Sequence, residues 1–453
     1  MSEYLKIKSI SPPAELPTYK DGDGDITFFG NTTFKGAYGE RKDVFGIWRF
    51  DRRQHIYIVG KTGVGKTKLI ELLARADIDG YFGLCVIDPH GDLINSLLDF
   101  IPENRINDVV LIDPTDSNFP VAYNPLQKVA PNAKQIVANG LIEVFRKQFG
   151  DLWTSRLEHV CRFTILALLE YGNATLADIP KMLTNPKFRQ EVVPKISDSV
   201  VRHFWALEFN SWSERFDNEA IIPLVNRMGQ FLSNPLVRNT FAQKENKINF
   251  DELINSRKIV LVNLSKGIIG EDNTELFGSI LITSIYQAAM RRAKIPESER
   301  VDFYLYVDEF QNVATQTFLN LFAESRKYGL NITVSHQYLG QITPKMRDTI
   351  FGNTGTIISF KLGGEDAERL NKEFAPVCKE DDLINLGQRE FVIKLLIAGG
   401  SYDPFAGETL EVDPVKTSFR DQVINYSRSM YSCPVSELEQ ETLEEENFIA
   451  PVI

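Results

Sequence analysis

The stretch His55-Ile56-Tyr57-Ile58-Val59 runs directly into Gly60-Lys61-Thr62-Gly63-Val64-Gly65-Lys66-Thr67, and Lys68-Leu69-Ile70-Glu71-Leu72-Leu73-Ala74 follows. The first segment is a short, continuous apolar run, which reads as a buried strand. The last reads as a helix. The eight residues between them fit G-x-x-x-x-G-K-[ST], and strand–loop–helix is the context that this phosphate-binding loop requires. The glycines let backbone N–H groups close around phosphate oxygens, and the helix N-terminus adds partial positive charge. Lys66 is expected to reach the β- and γ-phosphates, and the Thr67 hydroxyl to ligate Mg²⁺. A chain with this element is expected to be an α/β protein that binds a nucleoside triphosphate.

The 453 residues exceed one compact core and suggest two or three domains. Short apolar runs recur at 56–60, 83–88, 109–112, 258–264, 303–308, 331–335, 355–362 and 390–397. About eight strands alternating with helices predict a doubly wound, mostly parallel sheet covered on both faces. One of those helices carries Leu276, Phe277, Ile280, Leu281, Ile285 and Ala288 on a single face. Between 129 and 245 the pattern changes. Leu157, Val160, Cys161, Ile165, Leu168 and Leu169 recur at helical spacing, strand-like runs are missing, and Asn185-Pro186 and Asn234-Pro235 punctuate the stretch. This predicts an inserted all-α domain. The expected organisation is an N-terminal arm with a short β lead-in (1–40), the first part of the α/β domain (41–128), the helical insertion (129–245), the second α/β part (246–425) and an acidic C-terminal tail (426–453).

Composition narrows the class. Net charge is −11, but Ser436 to Asn447 holds six glutamates and no basic residue. Overall charge therefore says little about a local path for nucleic acid. No apolar run approaches a membrane span and the N-terminus has no signal-peptide core, so no integral membrane segment and a cytoplasmic location are expected. The four cysteines lie far apart with no CxxC spacing, and the five histidines form no metal cluster. No Ser/His/Asp or Cys/His arrangement emerges.

Phe303-Tyr304-Leu305-Tyr306-Val307 ends in Asp308-Glu309. Mg²⁺ takes oxygen ligands, so Asp308 is assigned to the metal shell. Glu309 is placed to orient or deprotonate an attacking water. A later helix ends Glu324-Ser325-Arg326-Lys327-Tyr328-Gly329. Its cations either complement the helix end beside Gly329 or include an arginine that serves a neighbouring subunit's nucleotide. The residues alone leave both open. Gln337, at a strand tip, is a candidate γ-phosphate sensor. Asp88-Pro89-His90-Gly91-Asp92 is expected on the same sheet edge as the P-loop.

Several of these pieces together resemble one family. They are the P-loop preceded by Arg52-Arg53-Gln54-His55, Ile87-Asp88-Pro89-His90-Gly91-Asp92-Leu93, Ile112-Asp113-Pro114 with Tyr123-Asn124-Pro125-Leu126, Tyr306-Val307-Asp308-Glu309-Phe310-Gln311-Asn312, Ser325-Arg326-Lys327-Tyr328-Gly329-Leu330, and Ser335-His336-Gln337. From about residue 30 to 412 the chain resembles the HerA/FtsK-type DNA-pumping ATPases. Within them it is similar to the conjugative DNA-transfer ATPases of type IV secretion, the TraG/TraD-like coupling proteins. The resemblance implies a RecA-like P-loop NTPase domain that uses ATP and Mg²⁺. It also implies a ring, a homo-hexamer around DNA, with hydrolysis between subunits. Catalytic roles would fall to Lys66, Glu309, Arg326 and Gln337, and the helical insertion would sit at the ring entrance. It implies a relaxase or a membrane secretion complex as a partner class. Coupling proteins of this kind carry N-terminal transmembrane helices and this chain has none, so any membrane association would run through a partner. The alternatives are an assembly ATPase that moves protein, a soluble HerA-like motor partnering a nuclease, and a nucleotide-gated scaffold. A DNA path needs cations, and Arg227, Lys266, Arg291 and Arg292 are the candidates.

Overall fold

The computed structural model describes residues 5–21, 24–36, 39–212 and 221–440. Parts of the expected N-terminal arm, of the helical insertion and most of the acidic run lie outside the described residues. Eleven strands form the main sheet. In chain order they are β1 (Ile26–Thr32), β2 (Val44–Trp48), β3 (Ile56–Val59), β4 (Gly83–Asp88), β5 (Val109–Ile112), β6 (Ile259–Asn263), β7 (Phe303–Val307), β8 (Leu330–His336), β9 (Thr356–Ser359), β10 (Glu390–Lys394) and β11 (Phe405–Thr409). Their spatial order is β2-β1-β11-β10-β9-β3-β8-β7-β4-β6-β5. From β9 across to β5 every pairing is parallel. From β9 to β2 every pairing is antiparallel.

The helices that matter below are α1 (Lys66–Asp79), α2 (Asp92–Phe100), α3 (Lys134–Phe149), α4 (Ser155–Tyr171), α5 (Glu271–Arg291), α6 (Gln316–Glu324) and α7 (Arg420–Tyr431). Strands β3, β4, β7 and β8 are buried along their whole length. Alternate residues feed two separate cores, because side chains alternate across a strand. Ile56 and Ile58 join α1 and α2 on one face. Tyr57 and Val59 join α3, α5 and α6 on the other. This is the doubly wound arrangement, and its two-sided burial explains why these strands read as unbroken apolar runs.

Three boundaries differ from expectation. The β lead-in is not a separate arm: β1 pairs with β11 and extends the sheet. The seam is aromatic, with Phe29, Phe45 and Phe405 rings 5.2 and 5.3 Å apart in edge-on pairs. Gly407 leaves room for this packing, since a Cβ there would lie 2.8 Å from the Phe391 ring. The predicted run 390–397 is two elements, β10 and a two-residue strand Leu396–Ile397 paired with Gly400–Ser401. The supposed tail boundary at 426 falls inside α7. That helix covers the far edge of the sheet: Val423 is buried, and the Leu111 N–H donates to Ser427 Oγ at 2.8 Å.

Between β5 and β6 the described residues form helices and turns and no strand of the sheet. Thr154 caps α4 by accepting from Leu157 N at 3.2 Å. Asn185 and Asn234 cap the helices that begin at Pro186 and Pro235, the pairing of polar N-cap with proline at the first turn. The segment is not detached. α3 crosses α5 so closely that a Cβ on Gly140 would stand 2.4 Å from Thr283 Cγ2.

Arg52 and His55, just before β3, hold the layers together. Arg52 is buried; it donates to both Asp77 oxygens at 2.7 and 2.9 Å and lies 3.9 Å over the Tyr304 ring. Asp77 also accepts from the Tyr306 hydroxyl. The cluster ties α1 to β7. His55 Nδ1 accepts from Ile332 N at 3.1 Å, so Nε2 is the donor to Phe322 O at 3.0 Å. Both ring nitrogens are used, in the neutral form.

Candidate nucleotide-hydrolysing site

The P-loop leaves β3 at Gly60, where a side chain would meet Phe360 Cβ at 2.6 Å. Gly63 and Gly65 take φ of 77° and 120°, left-handed values that favour glycine. The turn wraps the N-terminus of α1, a natural anion site. Lys61, Thr62 and Gly63 are exposed at its tip, whereas Val64 packs inward. Lys66 is buried, and its Nζ donates to the carbonyls of Gly60 and Lys61 at 2.7 and 3.1 Å. Burial pushes the Lys66 ammonium below its usual pKa, and the facing Glu309 and Asp308 carboxylates oppose that shift.

Asp308 follows β7 on the same edge. One oxygen accepts from Thr67 Oγ1 at 2.8 Å. The other accepts from Glu309 N at 3.0 Å and from the Ser335 hydroxyl. Glu309 holds φ of 46°, a left-handed backbone that a residue with a Cβ adopts at some cost. Its two oxygens accept from Gln337 Nε2 at 3.1 Å and Gln311 Nε2 at 2.9 Å. β8, lying between β3 and β7, delivers Ser335 and Gln337. Sequence reasoning missed Ser335 and Gln311 as site residues. The signal for Ser335 was its two-residue spacing from Gln337, which puts both on one face.

The oxygen donors of Thr67 and Asp308 fit Mg²⁺, which is usually held by one or two carboxylates plus phosphate oxygens. Among the described residues no three His, Cys, Asp or Glu side chains form a metal cage. Asp88 ends β4 on the same edge, as expected. It is spent on its own loop, accepting from the amides of His90 and Leu93 at 2.8 and 2.9 Å. Burial raises its pKa.

Residues 47–371 match the model of the type IV secretion-system coupling protein DNA-binding domain. The chain belongs to this family. The bacterial conjugative coupling protein TrwB, in its unbound ΔN70 form, is 12% identical with a TM-score of 0.62, over 83% of this chain and 88% of that one. TrwB in complex with ADP and Mg²⁺ is 13% identical with a TM-score of 0.62, over 82% and 88%. VirB4 of Thermoanaerobacter pseudethanolicus is 15% identical with a TM-score of 0.54, over 87% and 98%. At such identities the likeness is one of fold. No curated protein matches the chain in sequence. The P-loop α/β fold expected from the sequence is the fold of this coupling-protein chain. Among its described residues no helix is long and apolar enough to cross a membrane.

Arg326 stands apart from the cluster. It is exposed on the turn Ser325–Tyr328, closed by Gly329 at φ 71°, just before β8 begins. β8 has seven residues, so its ends are roughly 20 Å apart at ~3.3 Å per residue. Arg326 is therefore at the edge of the sheet opposite the P-loop, and it does not reach this chain's own site.

The four cations proposed for a DNA path are not equivalent. Arg292 is buried and donates to the carbonyls of Tyr328 and Val301. Burial lowers its pKa to about 10. It cannot face a channel, and this corrects the expectation. Arg291 grips Asp251 at 2.8 and 2.9 Å. Arg227 donates to Gln148 O at 3.0 Å and Asp272 at 3.2 Å. Lys266 lies in the turn after β6, on the P-loop edge, beside the exposed Ile268.

Proposed function

We propose that this coupling-family chain is an ATPase that moves DNA with little regard to sequence. It would work as a homo-hexameric ring in which one subunit binds each nucleotide and the next completes its site. The observation that carries the reading is the Asp308–Glu309 pair. Asp308 is bonded to Thr67 at the mouth of the P-loop, and Glu309 is held on both oxygens by amides. Mg²⁺, when bound, would supply positive charge against the charge that develops on the phosphates. Lys66 offsets phosphate charge, and Thr67 and Asp308 hold the metal. Glu309 orients the attacking water and takes its proton. Gln337 senses the γ-phosphate and passes its presence to Glu309 through their hydrogen bond. Arg326, at the far edge, is assigned to the neighbour's nucleotide.

The test is steady-state ATPase activity with and without double- and single-stranded DNA, using Glu309→Gln as the blank. Stimulation by DNA is expected. Robust turnover indifferent to both forms would contradict the DNA reading. It would favour an assembly ATPase that moves protein, a reading supported by the engagement of Arg227, Arg291 and Arg292 within the fold.

A further inference from the structure

The strand order gives a bound nucleotide a direction. β3 carries the P-loop. Across β8 on one side, β7 brings Asp308 and Glu309, which mark the γ-phosphate end. On the other side lie β9, β10 and β11. β10 is antiparallel to β9, and Glu390 at its start pairs with Glu408 near the end of β11. The start of β10 and the end of β11 therefore both reach the P-loop edge, opposite the catalytic carboxylates. Arg389, just before β10, touches the loop itself: its N–H donates to Val64 O at 2.9 Å, and a Cβ on Gly65 would lie 3.6 Å from its Cα.

Between these segments and the first turns of α1 is a cavity of about 430 Å³, lined by Lys68, Glu71, Arg389 and the stretch Leu410 to Pro414. That volume lies within the range of small-molecule sites. The Arg389 guanidinium is braced at one rim, donating to Glu411 at 2.8 Å and to Thr409 O at 2.7 Å. Leu410, Val412 and Pro414 supply apolar wall. Glu71 is buried and already satisfied by Lys68 at 2.8 Å and Arg75 at 2.6 Å.

We propose that this cleft takes the base and ribose of the nucleotide whose phosphates the P-loop holds, with a purine ring stacked on the Arg389 guanidinium. The proposal rests on the P-loop reading above. A planar, delocalised cation offers a face that an ammonium does not. Lys68 follows Thr67 directly, so the cleft begins where the phosphate cradle ends.

The experiment measures equilibrium binding of Mg-ATP and of Mg-tripolyphosphate to the full chain and to Arg389→Gly. Arg389 holds φ of 68°, which glycine adopts without strain. The variant thus removes the guanidinium and keeps the backbone bond to Val64. The expected result is an affinity for ATP weakened about tenfold, with tripolyphosphate unchanged. Unchanged ATP affinity, or equal loss for both ligands, would overturn the cleft and leave the P-loop reading standing. A native chain that binds neither ligand would overturn both.

Discussion

The two edges of the parallel sheet are built in opposite ways. At the P-loop edge, polar groups converge and satisfy one another: Thr67 and Ser335 on Asp308, Gln337 and Gln311 on Glu309, Lys66 on the loop carbonyls. At the other edge, roughly one strand length away, Arg326 stands exposed on its turn, and its guanidinium makes no hydrogen bond or ion pair with another described residue. Around it the same edge is firmly tied, with Arg292 on the carbonyl of Tyr328 and His55 on the carbonyl of Phe322. The turn presents two exposed cations, Arg326 and Lys327, and the proposed ring would need one of them at a neighbour's site. The contrast teaches that the two edges are unequal: one is built to bind and position, and in the proposed ring the other would complete a neighbour's site.

The sharpest way to break this contrast is at Lys66. Lys66→Ala should remove turnover altogether, because among the described residues no other buried cation sits in the phosphate cradle. Normal ATPase rates would contradict the P-loop assignment. Arg326→Ala comes next. It should slow turnover by about 10³-fold, the lower end for a trans-acting arginine, while Kd for ATP stays near the native value. Normal turnover would leave Arg326 as a helix-end cation only. Glu309→Gln should slow turnover about 10²-fold with binding intact, the scale of one general base. A variant that loses binding as well would show that Glu309 holds nucleotide rather than water.

The smallest effect is on stability and compares one histidine from each edge. Burial holds His55 down to about 4, with a smaller push from the Arg326 charge. Burial, with Lys66 nearby, holds His336 down to about 3. Both start from an ordinary value of 6.5, so the unfolded chain binds more protons at mildly acid pH. Their neutral form supports the fold above about pH 6.5, and that contribution is lost as pH falls towards 4 and 3. The denaturant midpoint should therefore drop between pH 7 and 4.5, and less so in His55→Gln. A midpoint flat over that range would contradict the buried neutral histidines.

The parallel half of the sheet was legible because strands buried on both faces are written as continuous apolar runs. The P-loop and the Asp308–Glu309 corner announced themselves by residue type and context. The antiparallel half was legible only in part: the β lead-in and the run at 390–397 were read as strands, whereas β2 and β11 were not. β11 contains Gly407 and two polar residues, and only its pairing with β1 and β10 makes it a strand. The same limit hid the fate of the cations. Arg291 and Arg292 are neighbours in sequence, yet about 100° of helical rotation separates them. One grips Asp251 at the surface, and the other is sealed beneath Gly329. Arg52 and His55 carried the family resemblance, but their contacts show a packing role that no spacing rule predicts.

The most direct test of the two-half account mixes two slowed chains. Glu309→Gln lacks the base but keeps Arg326, and Arg326→Ala lacks the arginine but keeps Glu309. In a random one-to-one ring about a quarter of the interfaces would pair an intact Glu309 with an intact Arg326. Steady-state ATPase activity should reappear on mixing and peak near equal amounts. A mixture that stays as slow as its two components at every ratio would contradict the claim that the far edge of one chain completes the site of the next.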